Sequence, residues 1–226
     1  MKPENCAAVF DMDGVLADTE QAHYESWQAI ARRYGIEISW EKFHETFGQP
    51  NRQIIPQFFD EDIATEDVDR IDREKEAAFR AIVGDAVRPL PGARELVNGL
   101  DEEGFRLAIG SSGPIENIEA IAKALGLRER FEAVVGAQDV EKGKPAPDVF
   151  LKAADRLGVP PERCVVIEDV PAGVQAALAA GMKCIAVTNT HDAQALDAAD
   201  RVVESLEEID PADLRKVLGT ASGAGA

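Results

Sequence analysis

Short apolar runs rich in valine, isoleucine and alanine alternate with segments of helical periodicity along most of the chain. This alternation is typical of a parallel sheet that is covered by helices on both faces. The apolar runs predict strands at Ala7–Phe10, Leu107–Gly110, Ala133–Gly136, Val165–Ile167, Ile185–Val187 and Arg201–Val203. The segments between them, each followed closely by a glycine that can close a helix, predict helices at Gly92–Leu100, Ile115–Leu125, Asp148–Leu157 and Ala172–Ala180. We therefore predict an α/β fold with a doubly wound parallel sheet.

The interval between the first and second predicted strands is far too long for one crossover connection. Residues 19–88 show only helical periodicity, and the chain returns through Pro89-Leu90-Pro91-Gly92, where two prolines stiffen it. We predict a sheet domain of residues 1–18 and 89–220, interrupted after its first strand by a small all-helical domain of residues 19–88. Residues 221–226 are all small and are expected to form a flexible tail.

The composition is that of a soluble globular protein. The chain has 226 residues, of which 45% are hydrophobic and 29% are charged. No apolar run approaches the roughly 18 residues of a membrane-spanning helix, and the N-terminus has no apolar signal-peptide segment. Cys6, Cys164 and Cys184 lack CxxC spacing, so we expect buried free thiols in a reducing, cytoplasmic location.

The formal net charge is −18 at pH 7. This charge argues against nucleic acid or an anionic membrane surface as a partner. It does not exclude a small anionic substrate, because a divalent cation and well-placed lysines can reverse the local potential. We expect a small-molecule substrate as the partner, and a monomer or weak dimer.

Polar groups suited to phosphate chemistry stand after several of the apolar runs. They occur in the segments Asp11-Met12-Asp13-Gly14, Gly110-Ser111-Ser112, Gly143-Lys144-Pro145 and Glu168-Asp169. Ligands of open parallel sheets bind beyond the carboxyl ends of the strands, so these segments are predicted to converge at one edge. The carboxylates suit a hard cation such as Mg²⁺, which prefers oxygen ligands and retains water.

The hydroxyl of Ser111 and the ammonium of Lys144 would not be needed for metal binding alone. Their presence beside the carboxylates favours phosphoryl transfer. In this interpretation Asp11 attacks phosphorus, while the cation and Lys144 offset the negative charge. Ser111 donates a hydrogen bond to a phosphoryl oxygen. Asp13 protonates the leaving oxygen and afterwards accepts a proton from water.

Each segment also has a simpler interpretation. Aspartates are common in turns, and Ser111-Ser112 could cap the helix that follows. Lys144 could be an ordinary exposed lysine, and Glu168-Asp169 could be surface charge. A nucleotide-binding P-loop is excluded for the segment ending at Lys144, because its glycine spacing is wrong and Pro145 replaces the metal-binding hydroxyl.

With these segments in this order, the chain resembles the haloacid dehalogenase-like superfamily, most closely its branch of β-phosphoglucomutases and small-metabolite phosphatases. The resemblance extends from about Ala7 to Val187. It is carried by Asp11-Met12-Asp13-Gly14-Val15, Ala108-Ile109-Gly110-Ser111-Ser112, Lys144-Pro145-Ala146-Pro147-Asp148 and Ile167-Glu168-Asp169-Val170-Pro171-Ala172-Gly173. It implies a hydrolase with a Rossmann-like core and an inserted helical cap.

The resemblance also implies a role for each site residue. Asp11 would be the nucleophile that forms an aspartyl-phosphate, and Asp13 the general acid and base. The implied Mg²⁺ ligands are Asp11, Asp169, the backbone carbonyl of Asp13 and Glu168. The groups implied to hold the phosphoryl group are Ser111, Ser112 and Lys144.

Two residues of the helical insertion have both a structural and a functional interpretation. His23 stands on an apolar stripe, where a histidine is usually packed in the core, yet its helix begins just after the Asp11 loop. In the resembling branch, a histidine at this position helps Asp13 couple cap closure to chemistry. Lys75 interrupts an apolar face, so it either extends past that face to solvent or contacts the substrate.

The resemblance leaves hydrolysis and transfer within a sugar phosphate as alternatives. A mutase must grip a second phosphate, and that branch uses an arginine in the cap loop. Here the loop reads Gly48-Gln49-Pro50-Asn51-Arg52, with asparagine at the matching position. We therefore expect a Mg²⁺-dependent phosphatase of a small metabolite, a sugar phosphate by resemblance, with β-phosphoglucomutase as the alternative. The predicted cap contacts are His23, Gly48, Asn51, Arg52 and Lys75.

Overall fold

The apolar runs of the sequence form the strands of the main sheet. The computed structural model describes residues 6–46 and 49–219. Its strands are β1 (Ala7–Phe10), β2 (Ala17–Asp18), β3 (Arg88–Pro89), β4 (Arg106–Gly110), β5 (Ala133–Val135), β6 (Cys164–Glu168), β7 (Lys183–Val187) and β8 (Arg201–Val203). Its α-helices are α1 (Glu20–Arg33), α2 (Trp40–His44), α3 (Asn51–Phe58), α4 (Thr65–Ala86), α5 (Ala93–Glu102), α6 (Ile115–Ala124), α7 (Asp148–Leu157), α8 (Pro171–Ala179) and α9 (Pro211–Val217).

The main sheet is parallel and has the strand order β5-β4-β1-β6-β7-β8. β1 pairs with β4 on one side and with β6 on the other, so the order of the strands reverses at β1. This is the doubly wound arrangement, and the predicted fold class is confirmed.

Apolar packing covers the sheet on both faces. Val9 and Val166 lie in one cluster with Phe150 of α7 and Val174 of α8. Phe10 points to the opposite face, because successive strand residues alternate, and its ring centroid lies 5.9 Å from that of Phe131. Burial on both faces explains why these strands are continuous apolar runs in the sequence.

The predicted ends of the elements agree with the structure to within a few residues. Gly181, which follows α8, has a φ of 74°, the left-handed conformation that glycine adopts most readily. Gly136 was predicted within a strand but stands beyond β5, where a short 3₁₀ turn begins at Ala137. Gly92 precedes α5 and does not form its first turn.

β2 and β3 form a short antiparallel pair that the sequence did not predict. Ala17 is in register with Pro89, and Asp18 with Arg88. Strands of this length are too short to show a hydrophobic alternation, so no sequence pattern marks them. The pair joins the chain segments that lead into and out of the helical insertion.

Residues 19–87 form one compact unit, called here the helical unit, and the other described residues form the sheet unit. Within residues 19–46 and 49–87, helices are the regular elements, as the periodicity predicts. α1 and α4 pack together around an apolar core that contains Trp27, Ile30 and Ile71. The function of this unit as a cap stays a prediction.

No helix in the described part of the chain has both the length and the apolar character needed to cross a membrane. Two sequence predictions, the tail at residues 221–226 and the cap contact Gly48, lie outside the described residues.

Candidate active site

The chain segments after β1, β4 and β6 lie side by side at the carboxyl edge of the sheet. Phe10 of β1 is in register with Ile109 of β4 and with Ile167 of β6. The backbone N–H of Asp11 donates to the carbonyl oxygen of Ile167 at 3.0 Å. Asp11 therefore stands between the polar segments that follow the two neighbouring strands.

Lys144 reaches this edge from the loop between β5 and α7. Its Nζ donates a hydrogen bond to Oδ1 of Asp11 and lies 2.5 Å from Oε1 of Glu168. The Lys144 side chain is 6% exposed, and Nζ lies 4.8 Å from the centre of the Phe150 ring. The simpler interpretation of Lys144 as an exposed lysine is therefore wrong, because the ammonium is buried between two carboxylates.

Both carboxylate oxygens of Glu168 have hydrogen-bond partners within the protein. Oε1 contacts Lys144, while Oε2 accepts hydrogen bonds from the backbone N–H groups of Asp169 at 2.9 Å and Val170 at 3.1 Å. A Cβ atom at Gly173 would lie 1.9 Å from Oε1, so a larger residue there would displace the carboxylate. These contacts give Glu168 the role of holding Lys144, and its assignment as a metal ligand stays a prediction.

Asp169 has one oxygen paired and one unpaired. The hydroxyl of Thr190 donates to Oδ2. Oδ1 is buried and has no hydrogen-bond partner among the described residues. Gly14, with a φ of 78°, packs so closely here that a Cβ atom would lie 1.9 Å from Oδ2. An unpaired buried oxygen is costly, so this atom is suited to a ligand that the structure does not contain.

Burial raises the pKa values of the carboxylates at this edge. For Asp11, burial outweighs the lowering effect of Lys144, and the charges of Glu168 and Asp13 add to it, so the pKa is about 7. Burial, followed by the charges of Glu168 and Asp11, holds the pKa of Asp169 well above its usual range. Burial lowers the pKa of Lys144, but Asp11 and Glu168 more than compensate and raise it above the ordinary value.

These groups fit Mg²⁺ without forming a ready-made cage. No three His, Cys, Asp or Glu side chains gather as a metal cluster anywhere within residues 6–46 and 49–219. Mg²⁺ does not need such a cluster, since it binds to one or two carboxylates and keeps several waters. The unpaired oxygen of Asp169 and the raised carboxylate pKa values are the features that favour a cation at this position.

Ser111 is buried just after β4, whereas Ser112 is exposed. The backbone N–H of Ser111 donates to Val135, and its Oγ accepts from the backbone N–H of Gly113 at 3.1 Å. The capping residue of α6 is Pro114, so the simpler interpretation of the serines as a helix cap is wrong. The N–H of Gly113 occupies one of the two lone pairs of Ser111 Oγ, and the hydroxyl hydrogen remains a donor.

Asp13 lies in the same loop as Asp11 and is half-buried. It forms an isolated bridge with Ala17, and the N–H of Gly14 donates to Ala17 at 2.9 Å, so the loop is tightly turned. Its negative charge contributes to the raised pKa of Asp11.

A family model of haloacid dehalogenase-like hydrolases matches residues 7–181 of the chain. The chain belongs to this family. The matched span contains β1, β4 and β6 and every polar segment described above, so the resemblance seen in the sequence is confirmed.

Relatives of this hydrolase are named as phosphatases. The chain is 39% identical over 181 residues to the fructose-1-phosphate phosphatase YqaB of Escherichia coli (strain K12), covering 79% of this chain and 94% of that protein. It is 36% identical over 205 residues to hexitol phosphatase A of the same organism, covering 89% and 91%. The crystal structure of a CbbY variant from Rhodobacter sphaeroides in complex with xylulose-(1,5)bisphosphate has a TM-score of 0.82 and 29% identity, covering 92% and 98%. The two Escherichia coli relatives, both named as phosphatases, confirm the prediction of a phosphatase within the haloacid dehalogenase-like hydrolases.

Two further residues contact the candidate site, and the sequence analysis did not identify them. Asn189 Nδ2 donates to the carbonyl oxygen of Gly14 at 2.8 Å, and Thr190 donates to Asp169. Both follow β7, the neighbour of β6 in the sheet. The same strand-end rule that marks Asp11 would have marked them, because polar residues follow the apolar run that ends at Val187.

Lys75, in the helical unit, is buried. Its side chain is 1% exposed, and Nζ lies 2.9 Å from Oε1 of Glu76 and 2.8 Å from Nδ1 of His23. The His23 ring stacks on Phe79 with a centroid distance of 4.2 Å. The interpretation that Lys75 extends to solvent is therefore wrong, because an adjacent carboxylate and aromatic rings hold the ammonium inside. Substrate contacts of His23 and Lys75 stay predictions.

Asn51 and Arg52 both pair with acidic residues of α4. Asn51 Nδ2 donates to Oδ1 of Asp72 at 2.7 Å and to Oε1 of Glu76 at 2.5 Å. Arg52 forms an ion pair with Asp69 at 2.5 Å. At the position where the mutase branch has an arginine, this chain therefore has an amide engaged by carboxylates.

Proposed function

We propose that this chain is a Mg²⁺-dependent phosphatase that hydrolyses a small sugar phosphate through an aspartyl-phosphate formed on Asp11. The observation that carries the proposal is the buried carboxylate of Asp11, which accepts a hydrogen bond from Lys144 close to the unpaired oxygen of Asp169. This arrangement supplies a nucleophile, a positive charge for the phosphoryl group and a position for a metal ion.

Asp11 attacks phosphorus in its ionised form. Burial raises the pKa of Asp11 in the protein alone, which disfavours this ionised form. A bound Mg²⁺ supplies positive charge that favours the ionised carboxylate and neutralises phosphoryl oxygens. In this proposal the ion would be held by Asp11, Asp169 and the backbone carbonyl of Asp13. Lys144 adds a second positive charge that persists at neutral pH, because its own pKa is raised.

Asp13 transfers the protons. As Asp11 bonds to phosphorus, the bond from phosphorus to the sugar oxygen breaks, and Asp13 donates its proton to that oxygen. Asp13 then accepts a proton from the water that attacks the aspartyl-phosphate. Inorganic phosphate leaves, and both carboxyl groups return to their starting states. Its half-buried position in the Asp11 loop suits a group that must meet both the leaving oxygen and water.

Ser111 and Lys144 hold the phosphoryl oxygens. The Ser111 hydroxyl is fixed by the Gly113 N–H and is 2% exposed, so its orientation is set before the substrate binds. Ser112, which is exposed, is assigned to the outer part of the same phosphate site.

A sugar phosphate is the proposed substrate because the relatives named above act on phosphorylated fructose and hexitol. The alternative, β-phosphoglucomutase, has less support. A mutase must bind a second phosphate, and in the helical unit Asn51 and Arg52 are already paired with carboxylates.

A paired assay tests the proposal. Purified protein with Mg²⁺ is incubated with fructose 1-phosphate, hexitol phosphates and β-glucose 1-phosphate. Released phosphate is measured, together with any glucose 6-phosphate formed. We expect phosphate release from at least one sugar phosphate. Isomerisation of β-glucose 1-phosphate without net release would favour the mutase, and no reaction with the panel would overturn the substrate class.

A further inference from the structure

The loop after β7 makes contacts with two of the segments proposed to bind the metal ion. Thr190 Oγ1 donates to Oδ2 of Asp169, and Asn189 Nδ2 donates to the carbonyl oxygen of Gly14. The side chains of two consecutive residues thus connect the end of β6 to the loop that follows β1. The roles implied by the family resemblance include neither residue.

Gly14, Asp169 and Thr190 pack closely at this junction. A Cβ atom built at Gly14 would lie 1.9 Å from Oδ2 of Asp169 and 2.7 Å from Oγ1 of Thr190. The backbone of Gly14, the carboxylate of Asp169 and the hydroxyl of Thr190 are therefore in mutual contact. Displacing the Thr190 hydroxyl would free the Asp169 carboxylate to rotate.

The hydrogen bond from Thr190 distinguishes the two oxygens of Asp169. Oδ2 is occupied by the hydroxyl, while Oδ1 is buried and unpaired among the described residues. A carboxylate held in this way presents one oxygen to a cation and cannot easily present both. Partners of metal ligands commonly fix a ligand's orientation in this manner, and losing them weakens metal affinity about 10- to 100-fold.

The geometry points to Thr190 and Asn189 as positioning residues for the metal site: Thr190 orients Asp169 so that Oδ1 faces the ion, and Asn189 fixes the backbone beside Asp13. This inference rests on the proposed function, since it concerns the same Mg²⁺ site. Neither residue touches the reacting atoms.

The test measures metal binding directly. The protein is titrated with Mn²⁺ in the absence of substrate, and free Mn²⁺ is read by electron paramagnetic resonance. Thr190→Val removes the hydroxyl while keeping the shape of the side chain, and we expect about tenfold weaker Mn²⁺ binding. Thr190→Ser keeps the hydroxyl and should bind Mn²⁺ within about twofold of the parent chain. Asn189→Ala should weaken binding as well, by less than Thr190→Val, because it acts through the backbone.

Thr188→Val is the matched control. Thr188 lies two residues before Thr190, and its N–H donates to the carbonyl oxygen of Val203. The Thr188→Val variant should bind Mn²⁺ with the same affinity as the parent chain. At saturating Mg²⁺ the phosphatase activity of Thr190→Val should return most of the way to that of the parent chain, because the chemistry is intact once the ion is bound.

Two results would overturn the inference. Unchanged Mn²⁺ affinity in Thr190→Val would do so, and so would an equal loss in Thr190→Ser. A lower unfolding temperature in Thr190→Val with no change in affinity would assign the residue a purely structural role. If the parent chain itself binds no Mn²⁺, the proposed function fails together with the inference, whereas normal parent binding with an unaffected Thr190→Val removes the inference alone.

Discussion

Burial and charge act in opposite directions on the residues at the strand ends. Burial raises the pKa of Asp11 to about 7, and the ammonium of Lys144 lowers it. The ammonium also contacts Glu168, so it keeps one buried partner when Asp11 loses its charge. Removing one carboxylate from this group therefore affects chemistry more than it affects folding.

This balance predicts the effect of Asp11→Asn. The amide cannot act as the nucleophile, so we expect phosphate release to fall by at least about 10³-fold. Circular dichroism and the unfolding temperature should show a folded protein, because Glu168 still pairs with Lys144. Asp18→Asn, an exposed aspartate in β2, is the control and should keep full activity. Substantial residual turnover in Asp11→Asn would refute the nucleophile assignment.

Cys164 gives a prediction about alkaline stability. The thiol is buried beside the carbonyl oxygen of Pro160, and burial, with Cys6 and Glu162 nearby, raises its pKa from 9.0 to about 12. A folded-state pKa above the unfolded value gives stability that is complete below pH 9 and is lost as the pH rises toward 12.

Comparison of the parent chain with Cys164→Ala measures how much stability is lost through ionisation of this thiol. Urea unfolding under reducing conditions gives the free energy of unfolding of both proteins at each pH. Between pH 9 and about pH 10.5 the parent should lose about 1.5 kcal/mol more than the variant. A constant difference across this range would show that the thiol titrates normally in the folded protein.

The backbone conformation of glycine residues helps to determine where helices end. Gly181 follows α8 with a φ of 74°, and Gly84 lies on the exposed side of α4 without a positive φ. A Cβ atom at either position would meet nothing within 4 Å. Differences between alanine substitutions at these two sites therefore report backbone preference alone.

This contrast predicts opposite effects from the same substitution. Gly181→Ala should destabilise the protein by about 1 kcal/mol, because alanine disfavours the left-handed conformation. Gly84→Ala should stabilise it by about 0.5–1 kcal/mol, because alanine loses less entropy in a helix. Chemical denaturation followed by circular dichroism measures both. Equal effects of one sign would contradict the conformations of these two glycines.

The excess negative charge of the chain favours the binding of cations. The chain carries a formal charge of −18, and at the candidate site Lys144 stands against four nearby acidic residues. Those residues are Asp11, Asp13, Glu168 and Asp169. Filling the site with a divalent ion should therefore stabilise the folded protein, beyond enabling the reaction.

Removing and restoring the metal tests this expectation. EDTA should abolish phosphate release, and added Mg²⁺ should restore it. Mg²⁺ at about 100 times its dissociation constant should increase the free energy of unfolding by about 2.7 kcal/mol. Asp169→Asn is the matched variant, in which this stabilisation should shrink. Full activity in EDTA would contradict the metal requirement.

The class of fold and the order of the polar segments follow from local patterns in the sequence. Strands such as Ala7–Phe10 are local apolar runs, and the helices between them have a local period, so neighbouring residues were enough to predict them. Asp11 and Asp169 could be assigned to one edge of the sheet because parallel strands share a direction.

Which side chains meet at that edge depends on contacts between distant parts of the folded chain. Lys144 and Asp11 are 133 residues apart, and their contact depends on how the loop after β5 folds back. Likewise, the sequence shows that Glu168 and Thr190 stand at strand ends, but it does not show that Glu168 pairs with Lys144 or that Thr190 contacts Asp169. Such contacts join distant segments through specific rotamers and packing, and only the folded chain brings those segments together.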